Sequence, residues 1–86
     1  MTNPATIEEL RRLLDAAGAR PGSYAIQELG EGEINGIGFL DGAWCTYYSE
    51  RGSYNGIRRF PTEAAAIEAF LDRIRPILAD DGVVVP

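Results

Sequence analysis

Histidine and lysine are missing from this 86-residue chain, and cysteine occurs only once, as Cys45. Without histidine, His-based acid–base catalysis, Ser-His-Asp triads and His-ligated metal sites are excluded. One cysteine cannot build a thiolate zinc site, and no base lies near Cys45 in sequence to make it a nucleophile. We therefore predict a non-enzymatic protein with no cofactor and no metal, in which Cys45 is a small apolar residue in or on a sheet.

Long apolar runs are also absent. No segment approaches the ~20 consecutive apolar residues that span a bilayer. The first residues, MTNPATIEEL, lack the basic segment and apolar core of a secretory signal. A lone cysteine is typical of proteins from a reducing compartment. We expect a cytoplasmic protein with no membrane partner.

The charge balance is acidic, with 13 Asp and Glu against 8 basic residues and a net charge of −5. A nucleic-acid binder needs a basic face for phosphate contacts, so we predict no nucleic-acid partner. Two interpretations remain open. The acidity either attracts a basic protein partner or simply keeps the chain soluble.

The two ends of the chain have helical patterns within what we predict to be a single domain, residues 1–86. Thr6 and Glu9 have the spacing of a capping box, and they open a predicted helix over about residues 6–18 that Gly18 ends. Thr62 caps a second helix over about residues 62–79.

Two features near the C-terminus, Pro76 and the tail, depart from a regular helical pattern. Pro76 lacks an amide, so we predict that it kinks or ends the second helix near Arg75. The tail, residues 82–86, has strand-like composition. It either adds an edge strand or stays loose.

A sheet is predicted over about residues 23–60. Asp41-Gly42 between two apolar runs is the strongest short-range hairpin signal, because both turn residues need positive φ. The predicted segments are a strand at Ser23–Leu29, an acidic turn at Gly30–Glu33, strands at Ile34–Leu40 and Ala43–Glu50, a turn at Arg51–Asn55 and a strand at Gly56–Phe60.

The two-residue turn fixes the register of this hairpin, pairing positions from Leu40–Ala43 through to Asn35–Tyr48. Side chains alternate between faces. A bulky face then carries Ile37, Phe39, Trp44, Thr46 and Tyr48, and a flat face carries Gly36, Gly38, Leu40, Cys45 and Tyr47.

The bulky face holds most of the apolar area, so we predict that both helices pack on it, with Trp44 and Tyr48 in the core. The fold class is α+β. We expect a two-layer domain with a small antiparallel sheet of three to four strands and two helices on one face, in the order α-β-β-β-β-α. The flat face is then left uncovered. There Tyr47 either covers the backbone gap at Gly36 or forms a contact surface.

A pattern in the second half of the chain resembles small immunity proteins encoded beside bacterial polymorphic toxins, including contact-dependent and type VI secreted ones. It covers roughly residues 35–72. The residues that carry it are Trp44, Tyr47, Tyr48, Ser49, Glu50, Arg51, Gly52, Phe60, Thr62, Glu63 and Ala66. The resemblance implies a protein that binds one cognate toxin domain and blocks its active site or substrate access. It transfers no binding residue, because toxin contacts vary within such families.

The uncovered flat face is the predicted partner site. It consists of Tyr47, Ser49 and Arg51, with Glu31, Glu33 and Tyr54 at its rim. An acidic rim would speed encounter with a basic, nuclease-like toxin. The same glutamates are interpreted as solvated turn acids and not as calcium ligands. Alternatives are a homodimeric structural module that uses the same face, and a small-molecule sensor, which would need a pocket.

Overall fold

The computed structural model describes residues 4–27, 33–50 and 52–85. The elements are helix α1 (Ile7–Ala17), a 3-10 turn (Pro21–Ser23), strands β1 (Ala25–Ile26), β2 (Ile34–Leu40), β3 (Ala43–Glu50) and β4 (Ser53–Phe60), and helix α2 (Glu63–Asp80). The strands form one sheet in the order β1-β2-β3-β4. The predicted α+β fold, with a helix at each end of the chain, is confirmed.

Helix α1 has the predicted caps. The Thr6 hydroxyl accepts a hydrogen bond from the Glu9 amide at 3.2 Å and donates one to the Glu9 carboxylate at 3.3 Å. Gly18, at φ 84°, ends the helix, and the next amide, of Ala19, donates to the Leu14 carbonyl. Such a left-handed C-terminal residue satisfies carbonyls that the helix would otherwise leave open.

Helix α2 runs from Glu63 through Pro76 to Asp80, which matches the predicted range of about residues 62–79. Of the two effects predicted for Pro76, an end of the helix near Arg75 does not occur, and a kink stays a prediction. Proline removes one backbone donor. Ile74 and Leu78, on either side of it, are both buried in the core. Burial of two such side chains is worth roughly 1.5–3 kcal/mol each, which offsets the missing hydrogen bond.

The described part of the tail neither adds an edge strand nor stays loose, which were the two predicted alternatives. Val83 donates its amide to the Leu78 carbonyl at 2.9 Å, and Val85 is buried against the helices. Residues 81–85 contain no strand. The described part of the tail therefore closes the core instead of pairing with the sheet.

The β2–β3 hairpin has the predicted register, from Leu40–Ala43 to Asn35–Tyr48. Both of its turn residues have positive φ, as the Asp-Gly pair indicated.

The flanking strands differ from prediction. β1 has only two residues, because Gln27 leaves the extended conformation at φ 65°, and it runs parallel to β2 instead of antiparallel. β4 starts at Ser53 instead of Gly56.

Both helices share one core with the bulky face of the sheet, as predicted. Ile26 and Ile37 from the sheet lie in the same buried cluster as Leu10 and Leu14 of α1 and the apolar side of α2. Trp44 and Phe60 pack at its margin. Tyr48 is half-buried and lies outside this cluster, so its assignment to the core is wrong.

Candidate functional site

The flat face of the hairpin is not an open surface. Tyr47 is 1% exposed, and Cys45 and Ser49 are fully buried. The Tyr47 ring lies directly over Gly36, where any added Cβ would collide with it. The prediction that Tyr47 and Ser49 offer an uncovered contact face is therefore wrong, and the alternative that Tyr47 covers the glycine gap is confirmed.

Residues of β1 and β2 pack on this face. Ala25, Ile34 and Leu40 pack around Cys45 and Tyr47 in a second buried cluster. Gln27 lies against Gly38, with its Cα 3.2 Å from where a Cβ would be. The glycines thus make room for Tyr47 and Gln27 and not for another molecule.

Three residues of the predicted site lie at the rim or outside the described ranges. Glu31 and Arg51 are outside them. Glu33 is exposed, and its carboxylate accepts a hydrogen bond from the Tyr48 hydroxyl at 3.4 Å. Desolvation and the nearby negative charge of Glu33 raise the pKa of Tyr48, so this hydroxyl stays a donor at neutral pH.

Among the predicted site residues that the structure describes, Tyr54 is the one that lies exposed on the sheet itself. It is 37% exposed on β4. Its ring meets Tyr47 edge-on, with centroids 4.7 Å apart. Tyr54 therefore contacts the buried cluster of the flat face on one side and solvent on the other.

Strand β4 is exposed along nearly its whole length and forms an edge of the sheet. We define the β4 surface as Tyr54, Ile57, Arg58 and Arg59. The sequence analysis missed the last three, although SYNGIRRF combines an exposed apolar residue with two adjacent arginines and contains no acid. Ile57 is 46% exposed.

The β4 surface has charge on both faces of the strand. Arg58 pairs with Thr46 and shares the helix side, where its guanidinium lies 5.6 Å from the centre of the Phe60 ring. Arg59 pairs with Cys45 and lies on the opposite side with Tyr54. A cation over an aromatic face is held in place, so Arg58 is positioned before any partner arrives.

The strand is irregular in the middle. Gly56 and Ile57 together oppose Tyr47, and Gly56 has φ 56°. Such a bulge bends an edge strand and increases its twist. It separates Tyr54 from the two arginines.

Cys45 has no exposed surface, and its thiol lies 3.5 Å from the Gly38 carbonyl. Burial raises its pKa, which keeps it in the unreactive thiol form. The prediction of a small residue within the sheet is confirmed.

Other kinds of site have little support in the described residues. Those residues contain no cluster of three or more metal-ligating side chains. Over the same ranges, no helix is long and apolar enough to cross a membrane. A shallow depression on α1 is lined by Pro4, Glu9, Arg12 and Leu13. Comparisons with protein families, with curated proteins and with solved structures found no match.

Proposed function

We propose that this protein is a non-enzymatic binding protein that neutralises a cognate bacterial toxin domain by direct contact through the β4 surface. The observation that carries the proposal is the exposure of Tyr54, Ile57, Arg58 and Arg59 on an edge strand. Tyr and Arg are the residue types that dominate binding energy at protein interfaces. The pattern resemblance to immunity proteins supports the class of partner.

Charge contributes to binding in two ways in this proposal, at long range and at contact. The net charge of −5 attracts a basic toxin domain from a distance and speeds encounter, an effect that falls as salt rises. At contact, the arginines of β4 set the register. A specific complex of this kind buries roughly 800 Å² on each partner. The complex forms in the cytoplasm of the cell that makes the toxin.

The test begins with a search of the neighbouring reading frames for a secreted protein. The C-terminal domain of that protein is then co-expressed with this chain. We expect cells that make the toxin domain to grow only when they also make this protein, and the two purified proteins to form an equimolar complex by calorimetry. A toxin domain from an unrelated system serves as the control. Unchanged growth arrest, with no heat of binding, would contradict the proposal.

A second candidate is a homodimeric module, favoured by the open edge of β4. Edge strands readily pair with another chain. The described tail is not the pairing element, because Val85 is buried in the core. Light scattering over a range of concentrations separates the two functions: a stable dimer supports self-association, and a monomer that binds the toxin supports neutralisation.

A further inference from the structure

The two edges of the sheet differ. At the β1 edge, the Gln27 amide donates to the Ile37 carbonyl at 2.8 Å, and its side-chain oxygen accepts from the Phe39 amide at 2.7 Å. Gln27 thus pairs the outer main-chain groups of β2 just beyond the end of β1. At the other edge, β4 has no neighbouring strand among the residues that the structure describes. An incoming chain therefore finds unpaired main-chain groups at β4.

The register identifies where these groups are. Glu50 pairs with Ser53 across a two-residue turn, so Ser53 exchanges hydrogen bonds with β3 and the next residue, Tyr54, does not. Beyond the bulge, Arg59 pairs with Cys45, which instead bonds to β2 through its pairing with Gly38. The amides and carbonyls of Tyr54 and Arg59 thus point away from the sheet.

The two arginines of β4 form no ion pair with any residue that the structure describes. Among the described residues, the ion pairs join Arg12 to Glu8 and Arg75 to Asp72, and neither Arg58 nor Arg59 takes part in one. The chain has 13 acidic residues, yet β4 contains none of them. Adjacent arginines on opposite faces of an open edge match acidic side chains on either face of an added strand.

We infer that the partner binds by strand addition: an extended, acidic segment pairs with the outer edge of β4, and its carboxylates meet Arg58 and Arg59. Main-chain hydrogen bonds at Tyr54 and Arg59 supply affinity, and the arginines select acidic sequences. This inference rests on the proposed function for the identity of the partner. The recognition chemistry, however, is a property of this chain alone.

The arginines and the bulge of β4 have an alternative explanation, which predicts that no peptide binds. Charged residues and bulges also protect an edge strand from pairing with any chain. If protection is their whole role, no extended peptide binds β4, whatever its charge.

The test uses a peptide of about ten residues in which pairs of glutamates alternate with pairs of threonines, so that an added strand carries glutamates on both faces. Its counterpart has lysine in place of glutamate. Amide NMR of the isotopically labelled protein reports where each peptide binds. We expect the glutamate peptide to shift β4 signals and to bind at least tenfold more tightly than the lysine peptide. Equal affinities, no binding, or shifts confined to the helices would overturn the inference.

Charge reversal tests the role of the arginines. The Arg58→Glu/Arg59→Glu variant should reverse the order of the two peptides. The matched control, Arg11→Glu/Arg73→Glu, makes the same change of charge at exposed positions on the two helices and should keep the wild-type order. A control that also reverses the order would show that net charge alone selects the peptide.

A proline substitution tests the main-chain part. Arg59→Pro removes the outward amide, whereas Arg59→Ala removes only the charged side chain. Proline is tolerated on an edge strand where its nitrogen faces outward, and circular dichroism confirms folding of both variants. We expect the proline variant to bind the glutamate peptide several-fold more weakly than the alanine variant. Equal binding would overturn strand addition.

Failure of this inference is distinct from failure of the proposed function. If the protein rescues growth but neither peptide binds β4, the proposed neutralisation is retained and strand addition is wrong. If the glutamate peptide binds β4 but no toxin is neutralised, strand addition stands and the proposed function is wrong.

Discussion

Strands β3 and β4 are neighbours of equal length in one sheet, yet they have opposite environments. Cys45, Thr46, Tyr47 and Ser49 of β3 are buried, from both faces of the strand. On β4, every residue except Phe60 is exposed. Backbone hydrogen bonds thus join β3, whose side chains are largely buried in the protein, to β4, whose side chains are exposed.

The difference lies in what the surroundings offer to each strand. β3 has β2 and β4 on its two sides, helices on one face, and Gly36 beneath Tyr47 on the other. In the part of the chain that the structure describes, β4 has a neighbouring strand on one side only. We therefore expect equivalent substitutions to change stability on β3 and to leave it nearly unchanged on β4.

The tyrosine pair gives the largest expected effect. Tyr47→Ala removes a fully buried ring and should lower the free energy of unfolding by about 3–5 kcal/mol. Tyr54→Ala removes the ring that contacts it from the exposed side and should cost about 1 kcal/mol or less. Urea denaturation followed by circular dichroism measures both. Equal losses would mean that the two strands are equally important to the core.

A glycine substitution tests the close contact on the flat face. Gly36→Ala places a methyl group against the Tyr47 ring and should cost about 1–3 kcal/mol, as overpacked cores do. Gly22→Ala is the control, because a Cβ there has no neighbour within 4 Å. If both variants have the stability of the wild type, the Tyr47 ring does not lie over Gly36 in solution.

The buried thiol on β3 should make stability depend on pH. Burial raises the pKa of Cys45 in the folded protein, whereas in the unfolded chain the thiol ionises near pH 8.5. Above about that pH the unfolded state loses its proton first, so stability should fall by up to about 1.4 kcal/mol per pH unit until the native thiol also ionises.

Comparison with Cys45→Ala isolates this contribution, because Tyr24 and Tyr48 titrate in both proteins. We expect the wild type to lose stability more steeply than the variant between pH 8.5 and 10. Parallel pH profiles would contradict the assigned burial of the thiol.

Much of the fold follows from local patterns. Thr6, Thr62 and the Asp41-Gly42 turn each fix a boundary or a register through contacts within a few residues, and all three were predicted correctly. The helix side of the sheet followed from alternation, because Ile37 lies on the face with more apolar area.

The environment of the flat face could not be predicted in the same way. Its burial depends on Ala25 of β1, on the following Gln27 and on Tyr54 of β4, and none of these contacts is local to the hairpin. The hairpin pattern showed which side chains share the face but not what covers it. For that reason the candidate site lies on β4 and not on the flat face, where the sequence predicted it.

The smallest expected effect concerns two isoleucines that undergo the same substitution. Ile37→Val deletes one methylene in the core and should cost about 0.5–1.5 kcal/mol. Ile57→Val deletes it on β4, where the side chain is 46% exposed, and should change stability by less than about 0.5 kcal/mol. The urea midpoints are compared at equal slope, so that the difference reports stability. A loss at Ile57 as large as that at Ile37 would mean that β4 is covered in solution, as it would be in a dimer. Dilution should then remove that loss if a second copy is what covers the strand.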